Sequence, residues 1–197
     1  MMTVASAPAP YPAELGPPHG ELWVFGYGSL MWDPGFPHVQ WAPALVYGYH
    51  RALCISSHRW RGTPERPGLV LGLDRGGACR GIALRVLASD VATALEALWA
   101  REMRRRIYRP KLLRARLTDR EVRALGFVAD PTHAEYAGQL TVEEIAARVA
   151  NCCGARGSNI DYLIRTVDHL RELGVNDHHL QRVLAVAQAL AAAPRNR

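Results

Sequence analysis

The chain has 197 residues, of which 49% are hydrophobic, a size and composition that favour one domain with an ordinary buried core. Its four cysteines show no Cys-x-x-Cys spacing, which argues against a zinc ribbon or a disulfide scaffold and favours a reducing compartment. The sequence has no apolar run long enough to span a bilayer, and its first residues lack the basic segment followed by an apolar segment that marks a signal peptide. We therefore expect a cytoplasmic protein that contacts no membrane. The domain is predicted over 21–191, with a flexible Pro- and Ala-rich tail over 1–20 and a short tail over 192–197.

The net charge of +6 raises the question of an acidic partner. Ten of the 24 basic residues fall between Arg101 and Arg123. Lys111 is the only lysine, however, so the abundance of arginine is a bias of the whole sequence, and no RNP or helix-turn-helix pattern accompanies the run. We therefore interpret the run as a solvated face that could steer an anionic metabolite, and we expect no nucleic-acid partner; a nucleic-acid contact stays as a third hypothesis.

The first half of the chain has the composition of β-strands. Apolar, aromatic and β-branched residues fill three ranges: 21–28, 43–56 and 68–87. The motif Asp74-Arg75-Gly76-Gly77 divides the third range and predicts a hairpin, so at least four strands are expected before the first helix. That helix is predicted over 91–103, with Ser89 and Asp90 at its cap. Two further strands are predicted at 111–118 and 121–130.

The second half of the chain has helical spacing. Three helices are predicted, at 141–153, 158–174 and 177–193. Ser158 is predicted to cap the second of them, and Cys152-Cys153 to pack in the core. The adjacent His178 and His179 diverge on a helix, so we expect no metal site. The predicted order is strands with one inserted helix, followed by helices. This order predicts an α+β domain, because the helices do not alternate with the strands as they do in a parallel doubly wound sheet.

The segment Gly26-Tyr27-Gly28-Ser29-Leu30 lacks the third glycine of a dinucleotide fingerprint, the Gly-Lys-Ser/Thr of a P-loop and the flanking glycines of a nucleophile elbow. Ser29 is therefore not a predicted nucleophile. Two interpretations remain open. The glycines leave backbone amides free to bind a carboxylate or an oxyanion, or they merely end a strand whose Tyr27 and Leu30 pack in the core.

Glu102 continues the apolar stripe of the predicted helix over 91–103. At about 100° per residue it falls within roughly 60° of Val91, Leu95 and Leu98. Burial in a cleft would raise the pKa of Glu102 and make it a stronger base, whereas Arg101 would lower that pKa. Alternatively, Glu102 lies in the last helical turn and reaches solvent, or it pairs with an arginine such as Arg106 at i+4.

Four segments together resemble the ChaC family of γ-glutamylcyclotransferases, over residues 22–187: WVFGYGSLMW, RGTPERPG, LWAREM and GARGSNIDYLIRTVDHLRELGVNDHHL. The resemblance implies an α+β fold, a compact, mixed, partly closed β-barrel with flanking and C-terminal helices. It further implies a cytosolic enzyme that cleaves glutathione to 5-oxoproline and cysteinylglycine without a cofactor or metal. We expect the protein to act as a monomer.

The resemblance also implies roles for particular residues. Glu102 matches the family's catalytic glutamate. Tyr108 matches its substrate-contacting tyrosine, although Arg104-Arg105-Arg106-Ile107 stands where relatives carry a less basic, often glycine-containing turn. The γ-glutamyl-binding loop matches Phe25, Gly26, Tyr27, Gly28, Ser29 and Leu30. Arg61 lies in the segment HRWRGTP, where it either binds a substrate carboxylate or belongs to a surface turn.

The chemistry of cyclisation fits these residues. The α-amino group of the γ-glutamyl moiety attacks its own γ-carbonyl, so the protein needs a base and an oxyanion site but no catalytic Ser or Cys. Two alternatives stay open: a cyclotransferase for other γ-glutamyl amides, which shares the loop and the base, and a catalytically silent binding or regulatory protein of the same fold.

Overall fold

The computed structural model describes residues 20–193. The predicted tails lie outside these residues, except for Gly20 and residues 192–193. The described strands are β1 (Leu22–Gly26), β2 (Gln40–Ser57), β3 (Gly68–Val86), β4 (Tyr108–Arg116), β5 (Glu121–Ala129), β6 (Cys153–Gly154) and β7 (Gly157–Ser158). The described α-helices are α1 (Val91–Glu102), α2 (Val142–Asn151), α3 (Asn159–Glu172) and α4 (His178–Ala192).

Strands β1 to β5 form a closed barrel in the order β1-β3-β2-β4-β5. The ring closes through parallel pairing of β1 with β5, where Trp23 lies opposite Ala124. Strand β3 also touches β5 in parallel, whereas the other neighbours in the ring are antiparallel. The predicted α+β class and mixed barrel are confirmed, with the barrel fully closed.

The predicted hairpin at Asp74-Arg75-Gly76-Gly77 is wrong. Strand β3 runs through this motif without reversing, and both of its halves pair with the equally long β2. The register shifts where Gly48 faces Gly76 and Gly77, and all three glycines have positive φ. The glycines therefore form a β-bulge inside a continuous pair, and between residue 20 and α1 there are three strands rather than four.

The two faces of β1 bury different sets of side chains, as alternation along a strand requires. Trp23 and Phe25 face the cluster that also contains the apolar sides of α2, α3 and α4. Leu22 and Val24 face α1, which packs through Leu98 and other apolar residues. Strand β1 thus runs between α1 and the C-terminal helices, and its end lies between the elements that carry the candidate site.

The ends of the helices follow local sequence signals. Thr141 and Glu144 form a capping box at α2, and the predicted Ser158 cap of α3 is confirmed by its bond from Asp161 N. The side-chain cap predicted for α1 is wrong, because a 3-10 turn over Ala88–Asp90 precedes the helix and Asp90 makes no capping hydrogen bond. Within residues 20–193, no helix has the length and apolar character needed to cross a bilayer.

The four cysteines are free thiols. Cys54, Cys79 and Cys152 are buried, whereas Cys153 is exposed at the start of β6. The predicted core packing therefore holds for Cys152 and is wrong for Cys153. The short strands β6 and β7 pair with each other, Cys153 opposite Ser158, and turn the chain from α2 into α3.

Candidate active site

The loop that follows β1 is held from both sides at Tyr27. The Tyr27 hydroxyl donates to the Phe127 carbonyl at 2.8 Å, and the Tyr27 carbonyl accepts a hydrogen bond from Arg51 Nε at 2.5 Å. A Cβ on Gly28 would lie 3.4 Å from Leu71 Cδ1 and 3.9 Å from the Tyr162 hydroxyl, so the backbone passes close to both side chains. Tyr27 is buried, as one of the two sequence interpretations required.

The same loop keeps three backbone amides free. A 3-10 turn over Ser29–Met31 begins directly after Gly28, and the first amides of such a turn have no intrahelical partner. Among the described residues, none accepts a hydrogen bond from the amides of Gly28, Ser29 or Leu30. Successive free amides of this kind form a concavity that binds an anion or a developing oxyanion. The loop therefore combines both interpretations of the sequence: a packed turn that also offers donors.

Two members of the predicted binding loop still belong to β1. Phe25 is fully buried and its ring packs beside that of Tyr27, with centroids 6.4 Å apart. Gly26 pairs with Ile82 of β3, and a Cβ there would approach the Leu30 Cβ to 3.3 Å. The part of the loop that presents donors is therefore Tyr27 to Leu30.

Glu102 is the last residue of α1, and its side chain is 16% exposed. Burial raises the pKa of Glu102, and the Arg101 guanidinium, with Nε 3.2 Å from Glu102 Oε1, partly opposes that shift. The pairing with an arginine considered for the sequence is present, but the partner is Arg101 rather than Arg106. A carboxylate whose pKa is raised accepts a proton more readily near neutral pH, which suits a general base.

Arg101 joins the carboxylate to the loop. Its Nη2 donates to Ser29 Oγ at 2.8 Å and its Nη1 to the Asp33 carbonyl at 2.5 Å, while Nε contacts Glu102. One guanidinium thus spans the end of α1 and the turn after β1. The sequence predicted no contact of Arg101 with the loop, only an effect of Arg101 on the pKa of Glu102. The contact with Ser29 joins residues that are 72 apart in the chain, so no local pattern indicates it.

Three tyrosines surround the Glu102 side of the site: Tyr27, Tyr108 and Tyr162, which we call the tyrosine cluster. Burial raises the pKa of each, and the charge of Glu102 raises it further, so all three hydroxyls stay protonated at neutral pH. The structure therefore brings Tyr27 and the predicted Tyr108 together with Glu102. Tyr162, whose pKa rises to about 12, had no site role in the sequence interpretation.

The main chain of Leu71 on β3 positions two members of the tyrosine cluster. Its carbonyl accepts from the Tyr108 hydroxyl at 3.0 Å, and its amide donates to the Tyr162 hydroxyl at 3.2 Å. Leu69 lies two residues before Leu71 on the same strand. The buried side-chain amide of Asn159 accepts from the Leu69 N–H at 2.6 Å and donates to the Leu69 C=O at 2.7 Å. Asn159 therefore docks the start of α3 onto β3 and sets the position of Tyr162 one turn later.

Arg61 lies at the far side of Tyr162. Its guanidinium carbon lies 5.0 Å from the centre of the Tyr162 ring, and Nη1 donates to the carbonyls of Arg156 and Ser158 at 2.5 and 3.3 Å. Burial lowers the pKa of Arg61, with Arg165 and Arg156 adding positive charge nearby. The structure thus places Arg61 against Tyr162 of the tyrosine cluster.

Five of the ten basic residues in the run from Arg101 to Arg123 form ion pairs with acids among the described residues. Arg101 turns inward, and four other members of the run form ion pairs with nearby carboxylates: Arg105 with Glu135, Arg109 with Asp130, Arg114 with Glu121 and Arg120 with Asp119. These pairs agree with the interpretation of the run as a solvated face. No three or more His, Cys, Asp or Glu side chains within residues 20–193 are arranged to hold a metal ion.

Comparison with solved structures defines the class of fold. The crystal structure of a yeast γ-glutamyl cyclotransferase specific to glutathione matches with a TM-score of 0.83, covering 90% of this chain and 100% of that chain at 19% identity. At this identity the match concerns the fold alone, and it makes this chain a protein of the γ-glutamyl cyclotransferase fold.

Comparison of sequences then gives the family. The chain belongs to the ChaC-like protein family, whose model matches residues 22–190. It is 36% identical to the glutathione-specific γ-glutamylcyclotransferase of Escherichia coli over 177 residues, 89% of this chain and 77% of that protein. It is 33% identical to the human glutathione-specific γ-glutamylcyclotransferase 1 over 183 residues, 89% of this chain and 82% of that protein. The resemblance predicted from the four segments is confirmed.

Proposed function

We propose that this protein is a glutathione-specific γ-glutamylcyclotransferase, an enzyme that releases 5-oxoproline and cysteinylglycine from glutathione. One observation carries the proposal: the buried carboxylate of Glu102 and the free amides of Gly28 to Leu30 are joined by one guanidinium, that of Arg101. A base and an oxyanion site are the two groups that cyclisation requires of a protein. The curated relatives named above carry this activity in their names.

The net reaction moves two protons from the attacking nitrogen to the leaving nitrogen and exchanges one C–N bond for another. Glu102 takes a proton from the α-ammonium group of the γ-glutamyl moiety, and the freed amine forms a C–N bond to the γ-carbonyl carbon. The carbonyl oxygen becomes negatively charged in the tetrahedral intermediate, and the amides of Gly28 to Leu30 bind it. Glu102 then returns that proton to the cysteine nitrogen as the original amide bond breaks. The attacking nitrogen, which still carries two hydrogens, gives its second proton to solvent and becomes the lactam N–H of 5-oxoproline, while the amine of the released cysteinylglycine takes up a proton from solvent.

The remaining predicted residues take supporting roles in this proposal. Tyr108 presents a protonated hydroxyl beside Glu102 and orients the substrate. Phe25 and Gly26 anchor the binding loop to the barrel, so the substrate meets Tyr27 to Leu30. Arg61 has no partner for Nη2 among the described residues, which leaves a donor for a substrate carboxylate at the Tyr162 end of the site.

We further propose that the enzyme works in the cytoplasm as a monomer. The four free thiols support a reducing compartment, because such compartments keep cysteines unpaired. The site supports the monomer, since its carboxylate, its loop and its tyrosines all come from one chain.

The test is release of 5-oxoproline by the purified protein from three substrates supplied separately: glutathione, γ-glutamyl-alanine and γ-glutamyl-ε-lysine. We expect release from glutathione and little from the other two. Release from the other amides instead would move the function to the sister activity. A folded protein that releases 5-oxoproline from none of them would favour the silent binding protein.

A further inference from the structure

Arg51 is a buried charge that the proposed reaction does not use. Its side chain is only 3% exposed, and it pairs with Asp177, at 3.1 Å between Nη1 and Oδ2. A charge removed from water in this way is costly unless its hydrogen bonds are satisfied. Those hydrogen bonds show what Arg51 holds in place.

All three nitrogens of the guanidinium have a fixed acceptor. Nε donates to the Tyr27 carbonyl at 2.5 Å, Nη2 to the Arg80 carbonyl at 2.5 Å and Nη1 to Asp177. The planar fork cannot rotate without breaking at least one of these bonds. The position of the Tyr27 carbonyl is therefore set by β2, where Arg51 lies, and by the segment before α4, where Asp177 lies.

The Tyr27 carbonyl determines where an amide of the candidate oxyanion site points. The peptide bond between Tyr27 and Gly28 is planar and trans, so its C=O and its N–H point in opposite directions. With the carbonyl held on Arg51, the Gly28 N–H must point away from the guanidinium. It is the first of the three amides that have no acceptor among the described residues.

We propose that Arg51 is a positioning residue of the active site, which orients the Gly28 amide by binding the carbonyl of the same peptide, and that Asp177 holds Arg51 in that orientation. This inference rests on the proposed function. Asp177 also caps α4, because its Oδ1 accepts from Leu180 N at 3.1 Å. The Arg51 side chain thus connects Asp177, the cap of α4, to the loop after β1 that carries the free amides.

Two variants separate this role from a general contribution to folding. Arg51→Lys keeps the positive charge but loses the fork, so it cannot serve all three acceptors. Asp177→Asn removes the charge on the partner yet keeps an oxygen that can cap α4, since Asn is as good a cap as Asp. Asp168→Asn is the matched control, because Asp168 is exposed and forms a surface pair with Arg171, three residues later on α3.

The first measurement is kcat and KM for glutathione across pH. We expect kcat to fall by up to about 10²-fold in Arg51→Lys, the loss that a small misplacement of a catalytic group produces. A smaller fall is expected in Asp177→Asn, and none in Asp168→Asn. The acid limb of the pH profile should stay in place, because Arg51 does not contact Glu102. Unchanged kcat in folded Arg51→Lys and Asp177→Asn would overturn the proposal.

The second measurement does not depend on activity. The Gly28 amide gives a ¹H–¹⁵N cross-peak, which should shift in Asp177→Asn and Arg51→Lys while cross-peaks of the exposed face of α3 stay unmoved. A Gly28 cross-peak that keeps its position in both variants would contradict the positioning role. If Arg51→Lys fails to fold, Asp177→Asn carries the test. If the wild-type protein releases no 5-oxoproline, the proposed function fails, and the cross-peak still decides whether Arg51 orients the amide.

Discussion

Two carboxylates of this protein, one at the end of α1 and one just after β5, have equally exposed side chains but pKa values that are shifted in opposite directions. The side chains of Glu102 and Asp130 are both 16% exposed, and each pairs with an arginine, at 3.2 Å to Arg101 and at 2.8 Å to Arg109. Burial raises the pKa of Glu102, and Arg101 opposes that shift only in part. At Asp130 burial acts in the same direction, but hydrogen bonds from Arg109 and Thr132 outweigh it and lower the pKa to about 2.

Two features differ between these carboxylates: Glu102 lies deeper among protein atoms, and Asp130 has more hydrogen-bond donors. Asp130 Oδ1 accepts from Thr132 N and Thr132 Oγ1 as well as from Arg109, and each of these bonds favours the charged form. Among the described residues, Glu102 pairs with the guanidinium of Arg101 alone, and the hydroxyls of the three tyrosines near it are bonded to other acceptors or donors. An acid with many donors is held in its charged form, whereas a buried acid with few donors is suited to accept a proton.

The largest expected effect is on turnover when Glu102 is neutralised. Glu102→Gln should reduce kcat for glutathione by about 10²- to 10⁴-fold, the usual contribution of a general acid-base group, with KM little changed. Asp130→Asn and Glu96→Gln are the controls, the latter on an exposed position of the same helix. Equal losses in Glu102→Gln and Asp130→Asn would remove the distinction between base and anchor.

A second, smaller effect is expected when the partner arginine is removed. Since Arg101 lowers the pKa of Glu102, Arg101→Gln should raise it further and move the acid limb of the kcat/KM profile to higher pH. The loop also loses its bond to Ser29, so we expect kcat to fall by roughly 10-fold or more. Arg109→Gln should leave the limb in place. A limb that does not move in Arg101→Gln would show that Arg101 does not set the acidity of Glu102.

A third effect concerns the tyrosine cluster. Tyr108→Phe removes the hydroxyl that donates to the Leu71 carbonyl and leaves the ring, so the barrel should stay folded. The lost hydrogen bond is worth about 0.5–1.5 kcal/mol, and we expect a fall in kcat/KM of about tenfold at most. Tyr49→Phe, on the outer part of β2, is the control. A Tyr108→Phe enzyme with wild-type kcat/KM would leave Tyr108 without a role in the reaction.

The smallest expected effects are on the free energy of unfolding, and they have opposite signs in Glu102→Gln and Asp130→Asn. The raised pKa of Glu102 means that its contribution to stability is complete below the ordinary value of 4.5 and is lost as pH rises through the raised value. Glu102→Gln should therefore be more stable than the wild type at pH 7, and the gain should vanish below pH 4.5. Equal Tm values at pH 7 would argue that Glu102 is not destabilised by burial.

Asp130 should behave in the opposite way. Its lowered pKa stabilises the folded state above the ordinary value of 3.8, and that contribution is lost as pH falls toward about 2. We expect Asp130→Asn to lower Tm at pH 7 by roughly 2–4 °C, the change that about 1 kcal/mol produces in a chain of this length. The difference from the wild type should narrow near pH 2. Thermal unfolding followed by circular dichroism at several pH values measures both variants.

The sequence predicted those parts of the fold and site that depend on short segments. The stripe through Leu98 placed Glu102 on a buried face, and the glycines around Tyr27 indicated free amides. The motif Gly76-Gly77 was misread because a hairpin and a β-bulge use the same left-handed glycines. Only the long partner strand β2 decides between them.

The contacts that assemble the site lie far apart in the chain, which is why the sequence did not predict them. The Arg51 bond to Tyr27 spans 24 residues, and its pair with Asp177 spans 126. The position of Tyr162 depends on Leu71, which lies 91 residues earlier. No local pattern encodes such pairings, so the resemblance to a family could suggest the catalytic residue but not the residues that hold it.

The most direct test of the account is the pH dependence of kcat/KM for glutathione in the wild type and in Glu102→Gln. If Glu102 is the base, the wild-type profile falls on the acid side with a midpoint above 4.5, and the residual activity of Glu102→Gln lacks that limb. A variant that keeps both the limb and most of the turnover would show that another group removes the proton.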